Sequence, residues 1–419
     1  MMYCPICGTQ NADTSRFCIK CGSALLNSTE VVQLPAPVRG TPPPPRPAPE
    51  RRKFVWLGLG ALAIIAVVAV VVINTTPASG RIAYHSFACD LEGGFDVYAM
   101  NSDGSKRDKL INRHFDGLFS AVSPDGRKIL FISGGAAPPG GSVIDGPHVA
   151  LAHTDKSSEV NLGPYVGNWN RAPGDWSFDG ARIAFAALGN EPHPDTCSGI
   201  CNSDIFVANA DGSGILNLTN DPAIELLPSW APDDRRIAFV RRSGDNPSKA
   251  IWEIYTIDIG GSDLTRLFHD ESGSPVYEVV WSPNGRQVTF VLGGVVYVMN
   301  TAGSGQTKLP VIGQVASDSG IQWSPDSQWI LISTVPTAST REYQILRIHP
   351  DGSGLEQLAN GALPVWSLDG KKIAFTSLRL PDNKPGLESS DIYVMNADGS
   401  GITQLTNSPE CELTSRWIP

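Results

Sequence analysis

Apolar positions fall into two patterns along the chain. The first is continuous: residues 54–73, FVWLGLGALAIIAVVAVVVI, hold no charge and no proline. At a rise of about 1.5 Å per residue such a run spans a bilayer's hydrocarbon core of about 30 Å, so it predicts one membrane-crossing helix. The second pattern starts near residue 80, where short apolar strands return every 42–54 residues: RIAYHS at Arg81, KILFIS at Lys128, RIAFAA at Arg182, RIAFVR at Arg236, QVTFVL at Gln287, WILIST at Trp329 and KIAFTS at Lys372. Each is followed by a strand running into a turn, as in IFVANADGS from Ile205 and IYVMNADGS from Ile392. Most are preceded by an aromatic residue and a tight turn: WSFDG at Trp176, WAPDD at Trp230, WSPNG at Trp281, WSPDS at Trp323, WSLDG at Trp366, with VSPDG at Val122.

Proline at the first corner of such a turn presets its φ, and glycine at the exit accepts a positive one, so each copy joins an inner strand to the apolar strand after it. Asp125, Asp179, Asp233, Asp326 and Asp369 recur there as turn formers, not as a carboxylate constellation. Four short strands per repeat with an aromatic at a fixed place describe a propeller blade. The ordered repeats resemble TolB-like (WD-like) propellers of bacteria over residues 80–419. The resemblance implies an all-β fold, a seven-bladed β-propeller. The first repeat opens without an inner strand and the last leaves one over at 413–418, so the C-terminal strand is expected to pair with the strand from Arg81 and close the ring.

The first 26 residues carry Cys4-x-x-Cys7 and Cys18-x-x-Cys21, ten residues apart, each pair followed by glycine. Two such knuckles present four thiolates to one structural Zn²⁺, with an iron-binding pair or a redox dithiol as the alternatives. About 25 residues bury too little apolar surface to fold alone, so the metal is expected to fold them. The segment resembles the short zinc ribbons at the N-termini of many bacterial membrane proteins. Residues 27–53 follow as a proline-rich linker, an extended spacer whose Pro-x-x-Pro also suits SH3-like modules.

Charge orients these parts. Residues 1–53 carry +4 and the remainder −14. An acidic propeller is not expected to bind nucleic acid. Arg51, Arg52 and Lys53 precede the apolar run and no charge follows it in 74–79, so the N-terminus is expected in the cytoplasm and the propeller outside. The domains are therefore a zinc ribbon (1–26), the linker (27–53), a transmembrane helix (54–73), a short linker (74–79) and the propeller (80–419). Cys89, Cys197, Cys201 and Cys411 fall on the oxidising side, where Cys89–Cys411 and Cys197–Cys201 are candidate disulfides; unpaired thiols are the alternative. The longest loops, 133–147, 187–203, 241–252 and 377–390, share one face with the connections between blades, and that face is the candidate binding surface.

No nucleophile, zinc-peptidase, phosphate-loop or dinucleotide motif occurs in the propeller, and no catalytic residue is identified. Its histidines, His85, His114, His148, His153, His193, His269 and His349, are expected at exposed or turn positions, with His193 and Asp195 a weak metal candidate. The expected function is a membrane-anchored, non-enzymatic scaffold that binds a protein or envelope ligand outside, with the zinc ribbon making an inner contact. An extracytoplasmic lyase or hydrolase and a transmembrane sensor are the alternatives.

Overall fold

The computed structural model describes residues 2–3, 10–11 and 80–419, the last range without 88–94, 116–120, 134–147, 155–158, 165–173, 190–202, 245–248, 312, 316–319, 336–341 and 380–388. The chain divides into two compact units, Met1–Cys4 with Thr9–Ala78 and Pro5–Gly8 with Ser79–Pro419. In the first, Met2–Tyr3 pairs antiparallel with Gln10–Asn11. The four N-terminal cysteines and the apolar run 54–73 lie outside the described residues, as do Cys89, Cys197, Cys201 and His193. Among the described residues no helix is long and apolar enough to cross a membrane, and no cluster of metal-ligating side chains is found.

The second unit is a β-propeller built of strands. Five separate sheets each hold four consecutive strands in chain order, as in Ile224–Trp230, Arg236–Ser243, Ile251–Asp258 and Thr265–Asp270. The second strand of each is apolar on both sides because neighbouring sheets cover both faces: Ile237, Ala238, Phe239 and Val240 have no exposed surface. The outermost strand, by contrast, is mostly exposed. Between second and third strands the same cross-strand aromatic pair recurs, at Tyr84–Tyr98, Phe185–Phe206, Phe239–Tyr255, Phe290–Tyr297 and Phe375–Tyr393, stacked 5.4–5.9 Å apart. The core lies between sheets: Ile205 and Phe185's neighbour Ala184 from one sheet meet Trp230, Ile237 and Phe239 of the next. Truncating a ring such as Phe239 to alanine is expected to cost about 3–5 kcal/mol.

The tight turns hold as the repeated serine and aspartate dictate. Ser177 donates its hydroxyl to Asp179, and the same carboxylate accepts the amide of Ala181; Ser123 with Asp125 and Ser367 with Asp369 repeat the pattern. The turn after the third strand is tied to the turn after the first, through amide-to-carbonyl bonds from Ala210 to Ala181, Ile259 to Arg235, Thr301 to Arg286 and Ala397 to Lys371. Both short turns of a sheet therefore share one face, and the loops and connections share the other.

The sixth sheet has eight strands. Ala362–Trp366, Lys372–Arg379 and Ser389–Asn396, with Thr403–Gln404 beside the last, form one half. A single parallel pair, Ser390 with Cys411, leads to Cys411–Ile418, which pairs antiparallel with Arg81–Phe87 from Arg81 opposite Ile418 to Phe87 opposite Cys411. Phe95–Asn101 and Asp108–Phe115 complete that half. Gly80 and Pro419 thus stand where other sheets have their first short turn.

The expected loops are shorter than their sequence suggests: Ser133 pairs with His148, and Ala187 and Leu188 with Asp204 and Ser203. Arg241, Arg242, Ser243, Ile251 and Trp252 belong to paired strands, as do Leu378, Arg379, Ser389 and Ser390, because the cross-strand ladder continues to the end of each hairpin.

Candidate functional site

The inner strands surround a cavity of about 480 Å³. One position reaches it from each of these inner strands: the residue immediately before the tryptophan of the turn motif, namely Asp175, Ser229, Val280, Gln322, Val365 and Arg416, and Ala121 before the Val122 that replaces the tryptophan. The tryptophan itself points between sheets. Its indole N–H donates to the carbonyl of that same position on the preceding inner strand: Trp176 to Ala121 at 2.9 Å, Trp230 to Asp175 at 3.2 Å, Trp281 to Ser229 at 3.2 Å and Trp417 to Val365 at 3.0 Å. Each indole thus fixes the neighbouring cavity wall. Trp323 and Trp366 are buried in the same place, and among the described residues neither indole nitrogen has a hydrogen-bond partner.

The polar side chains of the wall are held by main chain. Asp175 accepts the amide of Trp176 at 2.8 Å on one oxygen and the amide of Trp230 at 3.1 Å on the other. Gln322 accepts from the Trp366 amide and Glu278 from the Ile321 amide. Arg416 donates to the Val122 carbonyl at 2.7 Å. Burial raises the Asp175 pKa above the usual carboxylate value, against its amide donors and the Arg416 charge. Burial also lowers the Arg416 pKa, and the Asp175 charge opposes that shift. Each charge thus partly offsets the cost of burying the other.

His85 also lines the cavity. It is 1% exposed, and desolvation pushes its pKa down to about 4, so the ring is neutral at physiological pH. The expectation that the histidines sit at exposed or turn positions fails here. The strand from Arg81 is covered on both sides by neighbouring strands, and His85 is carried in with it.

Two wall residues have left-handed backbone, Leu227 at φ 57° and Leu363 at φ 52°, each directly before a proline and each at a bulge in the pairing of its strand. A leucine so placed costs about 1–3 kcal/mol, which the surrounding sheet must hold. Leu363 gains a partner there, its carbonyl accepting the hydroxyl of Thr414.

None of Asp175, Glu278, Arg416 or His85 stands in a catalytic or ligand motif, because they come from different strands far apart in the sequence and only the fold brings them to one cavity. For Asp175 and Arg416 the signal is a register, one residue before a turn-motif tryptophan; Glu278 and His85 carry no such mark. Of the cysteines, Cys411 is fully buried and disulfide-bonded; its partner lies outside the described residues.

Residues 3–25 match the zinc-ribbon domain family. The chain is 31% identical over 139 residues to the Tol-Pal system protein TolB of Anaeromyxobacter dehalogenans (strain 2CP-C), covering 33% of this chain and 27% of that protein. It thus spans about a quarter of the length of that relative. Among solved structures, the crystal structure of puromycin hydrolase matches 79% of this chain and 53% of its own at a TM-score of 0.54 and 12% identity. Oligogalacturonate lyase in complex with manganese matches 78% and 85% at 0.50 and 12%. At that identity the likeness is one of fold.

Proposed function

We propose that the chain is a membrane-anchored, non-enzymatic binding protein, with a seven-bladed propeller closed by its C-terminal strand as an extracytoplasmic scaffold for a protein or envelope ligand. Residues 54–73 cross the membrane with the N-terminus inside, and Cys4, Cys7, Cys18 and Cys21 hold one structural zinc in the cytoplasm. The observation that carries the reading is the cavity wall. Asp175, Glu278, Gln322 and Arg416 are each bonded to main-chain groups, which makes a rigid, preorganised surface of fixed charge and apolar side chains. Rigidity of that kind serves recognition, since little entropy is lost when a ligand docks. The buried disulfide at Cys411 supports an oxidising location for this unit. Phe87, opposite Cys411 in the strand pairing, lies two residues before Cys89, which supports the Cys89–Cys411 bridge. Cys197–Cys201 is proposed as a second bridge on the spacing alone.

The test is affinity capture from a cell-envelope extract with the full chain in detergent, run in parallel with Arg416→Ser. A retained protein that is lost with the variant supports the scaffold and locates its site. Retention unchanged by the variant moves the contact away from the cavity.

The gathering of His85, Asp175, Glu278 and Arg416 on one cavity favours the enzyme reading as the second. Oligogalacturonate, the substrate in the name of one structural neighbour, is the probe: appearance of unsaturated product with the full chain, abolished by His85→Ala, would replace the scaffold reading.

A further inference from the structure

Among the described residues, the ionisable side chains that line the central cavity are His85, Asp175, Glu278 and Arg416, and much of the remaining wall is apolar, as at Leu227, Val279 and Ile321. The charges of Asp175 and Arg416 act on one another, yet the two side chains form no ion pair. Asp175 bonds the amides of Trp176 and Trp230, at 2.8 and 3.1 Å, and Arg416 bonds the Val122 carbonyl at 2.7 Å. Opposite charges on one buried space gain most by closing on each other, because each alone is costly to take out of water. Here main-chain bonds hold each side chain to its own part of the wall, and bonding capacity is left over on both. An ionised carboxylate has lone pairs beyond those that Asp175 uses, and a guanidinium has N–H donors beyond the one that Arg416 uses.

That unused capacity is complementary to a ligand carrying both signs. An ammonium suits Asp175, and a carboxylate suits the planar fork of Arg416. A simple anion would leave Asp175 unmatched, and a simple cation would leave Arg416 unmatched. The charge balance narrows the ligand further. His85 is neutral, so the wall sets two carboxylates against one guanidinium, and a polyanion meets net repulsion. Size sets the last limit: about 480 Å³ falls within the range of small-molecule sites and excludes a folded domain.

We propose that the cavity binds a small zwitterion of the amino-acid or short-peptide class, its ammonium on Asp175, its carboxylate on Arg416 and its apolar side chains against Leu227, Val279 and Ile321. The proposal rests on the reading of the cavity as the recognition site of a binding protein, and it names the ligand. Because both charged groups are already fixed in place, little ordering is left to occur when the ligand enters.

The test is isothermal titration calorimetry of the full chain in detergent with leucine and leucyl-leucine, each compared with its N-acetyl and C-amide forms. At least one free zwitterion is expected to bind, and blocking either end is expected to weaken binding about 10- to 100-fold, the worth of a hydrogen bond to a charged group. This comparison uses the natural chain, so it stands whether or not a variant folds. In Asp175→Asn, with folding verified by a cooperative thermal melt, the penalty for N-acetylation is expected to vanish while that for amidation persists; Arg416→Gln should show the reverse. Equal affinity for free and blocked forms, or no binding of either zwitterion at millimolar concentration, overturns the proposal, as do penalties unchanged in both folded variants. The scaffold reading fails separately. Free leucine released from leucyl-leucine, read by mass spectrometry, would sustain the ligand class and overturn the non-enzymatic reading. An envelope protein still retained, and lost with Arg416→Ser, while neither zwitterion binds would overturn the ligand class and leave that reading standing.

Discussion

Residues 203–230 and 390–417 are nearly the same sequence used twice, identical at 18 of 28 positions. The first joins two consecutive sheets; the second joins the last strands of the chain to the strand from Arg81. Both build the same polar bolt. Asp204 accepts the amide of Asp221 and the side chain of Asn217, as Asp391 accepts the amide of Ser408 and the side chain of Gln404. Thr219 and Thr406 cap the amides of Ile205 and Ile392, and Ser203 and Ser390 bond the carbonyls of Glu225 and Glu412. Each glutamate side chain is fully buried against an arginine that also covers the equivalent tyrosine, Arg241 over Tyr255 and Arg107 over Tyr98. The cations, however, come from different places. Arg241 lies on the strand next to its glutamate, whereas Arg107 is some three hundred residues away in sequence, and it makes one bond where Arg241 makes two. The motif thus encodes a receptor for a cation, which the paired strand supplies as Arg241 in the first copy and the residue before the strand Asp108–Phe115 supplies as Arg107 in the second, where Ser86 stands opposite Glu412.

The second copy has one feature the first lacks, a disulfide at Cys411 where the first has Ile224. The strongest way to break the comparison is to remove it. Cys411→Ala is expected to lower unfolding free energy by about 2–5 kcal/mol in denaturant titration, since a bridge from Cys89 would close nearly the whole propeller into one loop. Cys89→Ala should cost the same and the double variant no more. A double variant costing the sum of the two places the bridge elsewhere.

The two glutamates give the next effect. Desolvation raises the Glu225 pKa to about 7, against the lowering pull of Arg241, and raises that of Glu412 in the same sense. An unfolded glutamate releases its proton near 4.5, so between there and 7 the native state binds more protons than the unfolded state, and stability falls as pH rises. His85 acts oppositely, losing stability as pH falls from 6.5 toward 4, so only a difference between variants isolates the term. Relative to Glu225→Gln, the wild type is expected to lose on the order of 1–3 kcal/mol between pH 5 and pH 8. A flat difference across that range would return Glu225 to an ordinary ionised ion pair.

The same comparison marks what was legible in the sequence. The strands, the turn-forming aspartates and the pairing partner of 413–418 follow from local chemistry and from counting repeats, because each repeat carries its own turn residues and alternation. The cavity does not follow in that way. Asp175 and Arg416 stand in different repeats at a position with no shared residue type, and only the fold brings them to one space. Nor does the burial of His85, whose neighbours in sequence, Tyr84 and Ser86, are buried with it by strands from the far end of the chain. The ion partner of Glu412 is hidden for the same reason, since nothing near Arg107 in the sequence resembles the surroundings of Arg241.

The smallest effect distinguishes the tryptophans that end the two copies. Trp230 and Trp417 are 1% and 2% exposed, and each donates its indole N–H to the preceding inner strand, to Asp175 at 3.2 Å and to Val365 at 3.0 Å. Trp→Phe keeps most of the ring's apolar burial and removes the donor, leaving one carbonyl unpaired, so each variant is expected to cost about 1 kcal/mol or somewhat more. The consequences should differ in the cavity. The Asp175 carbonyl belongs to a residue whose side chain also accepts the Trp230 amide, so Trp230→Phe loosens an acidic wall residue that interacts with the Arg416 charge. Val365 carries no charge, and Trp417→Phe leaves the Asp175–Arg416 pair in place. Ligand retention is therefore expected to fall for Trp230→Phe and to hold for Trp417→Phe at similar loss of stability. Equal retention by both variants would show that the indole bonds fix the sheets to one another without setting the charge geometry of the cavity.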